Sequence, residues 1–274
     1  MQQGPSQRFE GGRRTRRDCV KETSVSVITA VYNGEKYIAG CLESVLQQDY
    51  PDIEHIVLDG GSTDQTVDIL RQYDDRVEYW ASEPDNGVYD AWNKGLAEAR
   101  GNWICFLGAD DEFLPGAISA YMKMARDNPQ AEYLSSQVEW VHESGYSRVI
   151  GEPWDWKRFS RFMCVAHPGS MHRRSLFDRL GSYDCTYRRT ADYELLLRAR
   201  GDLQAAYLPI STVMMRAGGV SDSTSALSEA MRAKVLAGGR GSWLAAAERL
   251  VATIKFYAAL SSRKTLAKIQ TKWT

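Results

Sequence analysis

The chain has 274 residues, of which 43% are hydrophobic, and its formal net charge at neutral pH is −1. This composition supports a buried core in one large domain and argues against a disordered chain. The near-zero net charge gives no sign of a polyanionic partner, so nucleic-acid binding is not expected. The five cysteines form no CxxC pair, which excludes a zinc ribbon and favours a reducing, cytoplasmic compartment.

The termini carry no sign of a membrane span or a signal peptide. No apolar run reaches the length of about 18 residues that a transmembrane helix needs, and the N-terminus lacks an apolar core. Residues 1–22 are polar, with four arginines within residues 13–17. They predict a disordered basic tail, and a contact with a membrane surface or a partner is the alternative.

Strands and helices alternate along the first 110 residues. Apolar runs predict strands at residues 24–30, 54–59, 77–82 and 103–107, and helical spacing predicts helices at 35–47, 66–73 and 88–100. Gly101 is interpreted as the stop of the third helix. Such alternation predicts right-handed βαβ units and a mostly parallel central sheet flanked by helices, which is the α/β class.

The second half of the chain is less regular. Its pattern predicts helices at residues 115–127, 173–180 and 192–200, and strands at 131–141, 148–151, 205–208 and 212–216.

Polar loops follow each of the first four predicted strands, at residues 30–34, 59–64, 83–87 and 108–112. Ligands of parallel α/β sheets bind at the carboxyl ends of the strands. Four polar loops at one sheet edge therefore favour a binding site over a set of structural turns.

Asp110 and Asp111 directly follow the fourth apolar strand. Adjacent carboxylates repel each other, and burial raises their pKa values, unless a cation neutralises them. Their hard oxygen atoms suit Mg²⁺ or Mn²⁺, which also bind substrate phosphates. By itself the pair is also typical of a solvated turn or a helix cap, but its position favours a metal–diphosphate site.

Two further acids are candidates. Asp59 ends the second strand and is the candidate for a ligand contact, whereas Ser62 or Asp64 suits the N-cap of the next helix. Asp192 begins an amphipathic helix and is a candidate base for an acceptor hydroxyl. The helix dipole alone also favours an acid at that position.

Three blocks of sequence stand out in this order: VSVITAVYNGEKYIAGCLESVLQQDYPDIEHIVLDGGSTDQT, EPDNGVYDAWNKGLAEARGNWICFLGADDEF and TADYELLLR. Together they resemble the family 2 glycosyltransferases of the GT-A fold. The resemblance implies a catalytic domain at residues 23–220, with a nucleotide-sugar-binding half at 23–112 and an acceptor-binding half at 113–220. A helical, partly amphipathic and basic extension would follow at 221–274.

The resemblance also implies roles for single residues. Ala30, Tyr32 and Asn33 would lie beside the base and ribose of the donor, and Asp59 would lie in the base pocket. The metal, Mg²⁺ or Mn²⁺, would bind Asp111, while Asp110 would face the ribose or the metal. Asp192 would be the general base of a single displacement with inversion, with Glu194 as the fallback.

The block at residues 85–95 is similar to bacterial enzymes that assemble exopolysaccharide, lipopolysaccharide or glycolipid. It implies a UDP-, GDP- or dTDP-sugar donor, a glycan or lipid-linked acceptor, and donor contacts for Asp90 and Lys94. Helix packing and a solvated lysine are the alternative. His167 matches a position near the active site of related enzymes, with a buried, hydrogen-bonded histidine as the alternative.

The chain departs from the family pattern at three positions. Gly60, Ala109 and Ala191 stand where an acid is frequent. A contact with the base or ribose is therefore missing or replaced at Gly60, and Asp192 is left as the plausible base in its motif.

The C-terminal residues 242–274 contain six basic residues and one acid on a helical pattern. This pattern predicts a helix that lies on an anionic membrane surface, or one that packs on the domain with a solvated basic end. For the whole chain, the alternatives to a glycosyltransferase are a nucleotidyltransferase and a non-catalytic nucleotide-sugar-binding homologue.

Overall fold

Ten strands form a single sheet in the computed structural model, which describes residues 8–16, 25–218 and 224–270. The strands are β1 Phe9–Gly11, β2 Val25–Val31, β3 Ile53–Asp59, β4 Tyr79–Ser82, β5 Trp103–Gly108, β6 Glu112–Phe113, β7 Tyr133–Val141, β8 Ser147–Ile150, β9 Met171–Arg173 and β10 Ala205–Arg216. The α-helices are α1 Ile38–Leu46, α2 Thr66–Gln72, α3 Val88–Glu98, α4 Ala117–Asp127, α5 Trp156–Phe159, α6 Arg174–Leu180, α7 Ala191–Ala199, α8 Thr224–Leu236 and α9 Ser242–Gln270.

The first half of the sheet confirms the predicted α/β class. Strands β4, β3, β2 and β5 lie side by side and parallel, with helices on both faces. Successive side chains of a strand point to opposite faces. Val27 accordingly packs in the cluster that contains α1 and α4, while Ile28 packs in the cluster that contains α3 and α7. Both faces are buried, which explains the continuous apolar runs of these strands.

The second half differs from the prediction at three strands, of which the two-residue β6 is unpredicted and pairs antiparallel with β10. The two strands predicted at residues 205–208 and 212–216 are one strand, β10, whose parallel pairing with β7 is irregular between Leu208 and Val213. Pro209 lies in this interval and has no N–H to donate to the sheet. The unpredicted β9 is only three residues long, and it pairs antiparallel with both β5 and β7. It thereby joins the two halves into one sheet.

Residues 8–16 do not show the disorder expected of the N-terminal tail. β1 pairs antiparallel with β4 and covers its edge, where hydrogen-bonding groups would otherwise be unpaired. Arg14 then forms an ion pair with Glu54 at 2.6 Å, in which both side chains are nearly buried. The rest of the predicted tail, residues 1–7 and 17–22, lies outside the described residues.

Gly101 is not the helix stop that the sequence suggested. Helix α3 ends at Glu98, Ala99 is already extended, and Gly101 does not have a positive φ. A Cβ on Gly101 would lie 2.6 Å from the backbone nitrogen of Ser26. Glycine is therefore required here by the close approach of the chain to β2.

The expected C-terminal extension contains two helices, α8 and α9, which pack against each other. Residues 221–223 and 271–274 of that extension lie outside the described residues. No helix within the described part of the chain is both long and apolar enough to cross a bilayer.

Candidate active site

The carboxyl ends of four neighbouring strands meet at one edge of the sheet. Val31 at the end of β2 lies beside Asp59 of β3, which in turn lies beside Ser82 of β4. On the other side of β2, Ala30 lies beside Gly108 of β5. The register therefore brings together the four polar loops, as the parallel sheet predicts.

The first two loops are held together by Asn33. Its backbone N–H donates to Ser62 Oγ at 2.7 Å, and its side-chain oxygen accepts from the N–H of Thr63 at 2.9 Å. Asn33 has a left-handed φ of 49°, which asparagine tolerates better than most residues. The preceding Tyr32 is 65% exposed, so its ring is free to stack on a planar ligand. Ala30 is half-buried beside it.

Asp59 is buried, and the protein itself satisfies its carboxylate. Ser82 Oγ donates to Oδ2 at 2.6 Å, the backbone N–H groups of Gly61 and Ser62 donate to the same atom, and Ser62 Oγ donates to Oδ1. A carboxylate has about four acceptor positions. Three of these bonds end on Oδ2 and one on Oδ1, so Asp59 is held mainly by its own loop and by β4, and Oδ1 is the atom better placed for a donor contact. The N-cap of α2 is Gln65 and not Ser62 or Asp64, but Asp64, one residue before it, accepts from the N–H of Thr66 at 3.0 Å.

The acid missing at Gly60 is replaced in space by Asp85 of the third loop. A Cβ on Gly60 would lie 2.6 Å from Asp85 Oδ2. Asp85 Oδ1 accepts from the N–H of Gly87 at 2.8 Å, and burial raises the pKa of this carboxyl. Sequence reasoning missed Asp85, because Gly60 and Asp85 lie on two different loops that come together only in the folded chain.

Asp90 and Lys94 both bind the third loop. Asp90 Oδ2 accepts from the N–H of Asn86 at 2.9 Å. Lys94 Nζ lies 3.0 Å from Glu83 Oε1 and donates to the carbonyl of Pro84 at 3.1 Å. Lys94 is thus not an ordinary solvated lysine, and its contact with the donor stays a prediction.

The carboxylates of Asp110 and Asp111 converge above Gly108. A Cβ on Gly108 would lie 2.9 Å from Asp110 Oδ1 and 2.9 Å from Asp111 Oδ2. Asp111 is only 5% exposed. Burial, and then the charge of Asp110, raise its pKa from an ordinary value to about 7. Oδ1 of Asp111 accepts from the backbone N–H of Arg216 at 3.2 Å.

These two carboxylates fit a hard divalent cation. Two negative charges this close together, one of them buried, are unfavourable without a positive charge beside them. Among the residues that the structure describes, no group of three His, Cys, Asp or Glu side chains is arranged to hold a metal ion. Mg²⁺ or Mn²⁺, which keep several waters and bind substrate phosphates, need fewer protein ligands than that.

The raised pKa of Asp111 predicts a pH-dependent metal affinity. Below a pH of about 7 the carboxyl is protonated and is a poor ligand, and above it the carboxylate is available. We expect the affinity for Mn²⁺ to fall by about tenfold for each pH unit below 7, as a one-proton linkage requires. Titration calorimetry across this pH range measures the effect. An affinity that is constant between pH 5 and 8 would contradict it.

Asp192 is bonded to the helix that follows the third loop. The hydroxyl of Tyr89, at the start of α3, donates to Asp192 Oδ1, at the start of α7, over 2.8 Å. Burial raises the pKa of the Asp192 carboxyl, and the hydrogen bond from Tyr89 partly opposes this. A carboxylate with a raised pKa is a better proton acceptor than an exposed one.

The two remaining candidates are occupied by structural contacts. Both oxygens of Glu194 accept from Arg198, so this carboxylate is not free to act as a base. His167 lies in the core, with Nε2 3.1 Å from the hydroxyl of Tyr183 and its ring stacked on Trp92. Burial lowers the pKa of His167 to about 3, so the ring is neutral. His167 therefore matches the alternative given by the sequence, a buried and hydrogen-bonded histidine.

Arg216 is a site residue that sequence reasoning missed. It ends β10, more than 100 residues after the acidic pair. Besides its bond to Asp111, its guanidinium donates to Glu112 Oε1 at 2.8 Å and lies over the ring of Tyr37. A positive charge therefore stands beside the acidic pair.

The family model described as glycosyl transferase family 2 matches residues 26–180. The chain belongs to this family. An uncharacterised glycosyltransferase of Mycobacterium tuberculosis is 36% identical over 181 residues, which cover 64% of this chain and 68% of that protein. A PGL/p-HBAD biosynthesis glycosyltransferase of Mycobacterium bovis is 30% identical over 184 residues, covering 63% and 68% of the two chains. These matches identify a glycosyltransferase and do not favour the nucleotidyltransferase alternative.

Solved structures show the same GT-A fold. S. aureus TarS in complex with UDP-GlcNAc aligns with a TM-score of 0.65 at 20% identity, over 81% of this chain and 69% of that one. This chain spans only 39% of a longer TarS chain. A mannosyltransferase of Pyrobaculum calidifontis, in complex with GDP-Man and Mn²⁺, aligns with a TM-score of 0.58 at 19% identity, over 90% and 81% of the two chains.

Proposed function

We propose that this glycosyltransferase moves a sugar from a UDP-, GDP- or dTDP-sugar to a hydroxyl of a lipid-linked glycan or a glycolipid, with inversion, in cell-surface polysaccharide biosynthesis. The observation that supports the proposal is the bond between Tyr89 and Asp192, because Tyr89 belongs to the helix that follows the third donor loop. The name of the Mycobacterium bovis relative, a PGL/p-HBAD biosynthesis glycosyltransferase, supports this area of metabolism.

The donor side of the site would bind a nucleoside diphosphate. Tyr32 would stack on the base, with Ala30 and Asn33 beside it, and Asp59 and Asp85 would line the pocket below. Asp110 and Asp111 would hold Mg²⁺ or Mn²⁺, as the Mn²⁺ complex of the Pyrobaculum neighbour suggests. When bound, the ion neutralises charge on the leaving diphosphate. Arg216 would add positive charge at the same place.

The acceptor side depends on Asp192. Its carboxylate would remove the proton of the acceptor hydroxyl as the oxygen attacks the anomeric carbon, opposite the departing diphosphate. One displacement from the opposite side inverts the anomeric configuration. Tyr89 would keep the carboxylate oriented, and its own hydroxyl proton stays on Tyr89 because burial and the charge of Asp192 raise its pKa.

A lipid-linked acceptor would present its hydroxyl at a membrane. We therefore place the enzyme in the cytoplasm, in peripheral contact with the inner face of the cytoplasmic membrane. The absence of a spanning helix from the described part of the chain is compatible with this peripheral placement.

A donor panel tests the proposed function. The purified chain is incubated with UDP-, GDP- and dTDP-sugars and Mn²⁺, and release of the nucleoside diphosphate is followed by mass spectrometry, with and without a chelator. We expect slow metal-dependent hydrolysis of one nucleotide class in the absence of acceptor. If no nucleotide sugar of any class is bound or cleaved, the proposal is wrong.

A further inference from the structure

A row of large apolar side chains is exposed on α9 between residues 242 and 257, the part of this helix whose side chains the structure describes. Six large apolar side chains of this helix are exposed, and Trp243 is the most exposed of them at 91%. The six are Trp243, Leu244, Leu250, Val251, Ile254 and Tyr257. We call this set the α9 face. Exposing so many large apolar groups on one helix is unfavourable in water, so a covering surface is expected.

The six side chains form one stripe. At about 100° per residue, they fall within an arc of about 140° on the helix. The opposite side of α9 turns inward: Ala245 is fully buried, and Ala252 and Phe256 are partly buried. The stripe therefore points away from the domain and is about 20 Å long from Trp243 to Tyr257.

The single acid of α9 also points inward. Glu248 lies 3.3 Å from Lys234 Nζ and 3.1 Å from Arg240 Nε. These contacts attach α9 to α8, and the two basic side chains neutralise the charge of Glu248. Residues 242–270 otherwise contain five basic residues, so the net charge of the helix is +4.

We propose that the α9 face is a docking surface for an anionic lipid bilayer. A helix with an apolar stripe, tryptophan and tyrosine on that stripe, and an excess of lysine and arginine is suited to lie in the interface of a membrane. Charge complementarity argues for an anionic lipid surface over a second copy of this chain, because two copies of a +4 helix repel each other. The alternative from the sequence, packing on the domain, describes the inward side of α9, which contacts α8, and leaves the exposed stripe available for a membrane.

The docking surface extends the proposed function without depending on it. If the acceptor is lipid-linked, which rests on the proposed function, binding through α9 keeps the enzyme at the surface where that acceptor lies. Vesicle binding needs neither donor nor acceptor, so its failure would leave the glycosyltransferase assignment intact.

Vesicle flotation of the full chain tests the docking surface. We expect the protein to float with vesicles of phosphatidylcholine mixed with phosphatidylglycerol, and to bind vesicles of phosphatidylcholine alone more weakly. Ile254→Glu places a charge in the middle of the stripe and is expected to weaken binding by about tenfold or more. High salt should weaken wild-type binding, since part of the attraction is electrostatic.

Ile210→Glu is the matched control. Ile210 is an exposed isoleucine on β10, and the same substitution there should leave vesicle binding unchanged. A second copy of this chain is the competing occupant of the α9 face. Light scattering of the same variants measures their molar mass and so detects a dimer. If wild type is a dimer that Ile254→Glu converts to a monomer with vesicle binding unchanged, the face is a self-association surface. Failure of the wild type to bind anionic vesicles at low salt would also overturn the proposal.

Discussion

Replacing Asp111 with Asn is expected to abolish metal-dependent binding of the donor. Asn keeps the size of the side chain and can still accept from the backbone N–H of Arg216. It removes the charge that a hard cation requires. We expect the affinity for nucleoside diphosphate in the presence of Mn²⁺ to fall by at least about 100-fold, since a bound ion contributes several kcal/mol. Titration calorimetry with and without Mn²⁺ measures this.

The same substitution is expected to stabilise the metal-free protein. The folded-state pKa of Asp111 is raised to about 7, so between pH 4 and 7 the native state binds more protons than the unfolded state. The stability of the metal-free wild type therefore falls as the pH rises through this range. Above pH 7, the free energy of unfolding of metal-free Asp111→Asn should exceed that of the wild type by up to about 4 kcal/mol. Each tenfold difference in proton affinity between the folded and unfolded states corresponds to about 1.4 kcal/mol. Chemical denaturation in the presence of a chelator measures the difference.

Asp68→Asn is the control for both measurements. Asp68 is an exposed acid on α2 that pairs with Arg71 on the surface, so its removal should change neither metal binding nor stability by much. Retention of Mn²⁺-dependent binding by a folded Asp111→Asn protein would show that the metal site lies elsewhere.

Replacing Asp192 with Asn is expected to stop sugar transfer while leaving donor binding within about twofold of wild type. Asn still accepts the hydrogen bond from Tyr89 but cannot take a proton. Loss of a general base lowers the rate by about 10²–10⁴-fold. The measurements are the transfer rate, once the donor panel has identified a substrate, and the donor affinity.

Glu194→Gln separates the two acids of this motif. It removes the ion pair with Arg198, although the amide oxygen can still accept one hydrogen bond, and it is expected to lower stability, but transfer should persist in the folded fraction. If transfer survives in Asp192→Asn and is lost in a folded Glu194→Gln protein, the base has been assigned to the wrong residue.

The local pattern of the sequence was sufficient for the first half of the molecule. Apolar runs and helical spacing determined β2 to β5 with the helices between them, because both faces of a parallel sheet are buried and leave a strong periodic signal. The strand ends then located the four loops and the pair Asp110–Asp111. The short β1 and β9 carry no such signal, since their pairing depends on neighbours far along the chain.

Tertiary structure alone decided how the candidate site is assembled. In the folded chain Asp59 accepts four hydrogen bonds from the protein, Asp85 lies beside Gly60, and Tyr89 is bonded to Asp192 across 103 residues. The tertiary structure also turned the apolar stripe of α9 outward. Spacing along a chain determines which side chains share a face, but not what that face meets. The acidic pair was therefore visible in the sequence, whereas its partner Arg216 and the environment that raises the pKa of Asp111 appear only in the folded chain.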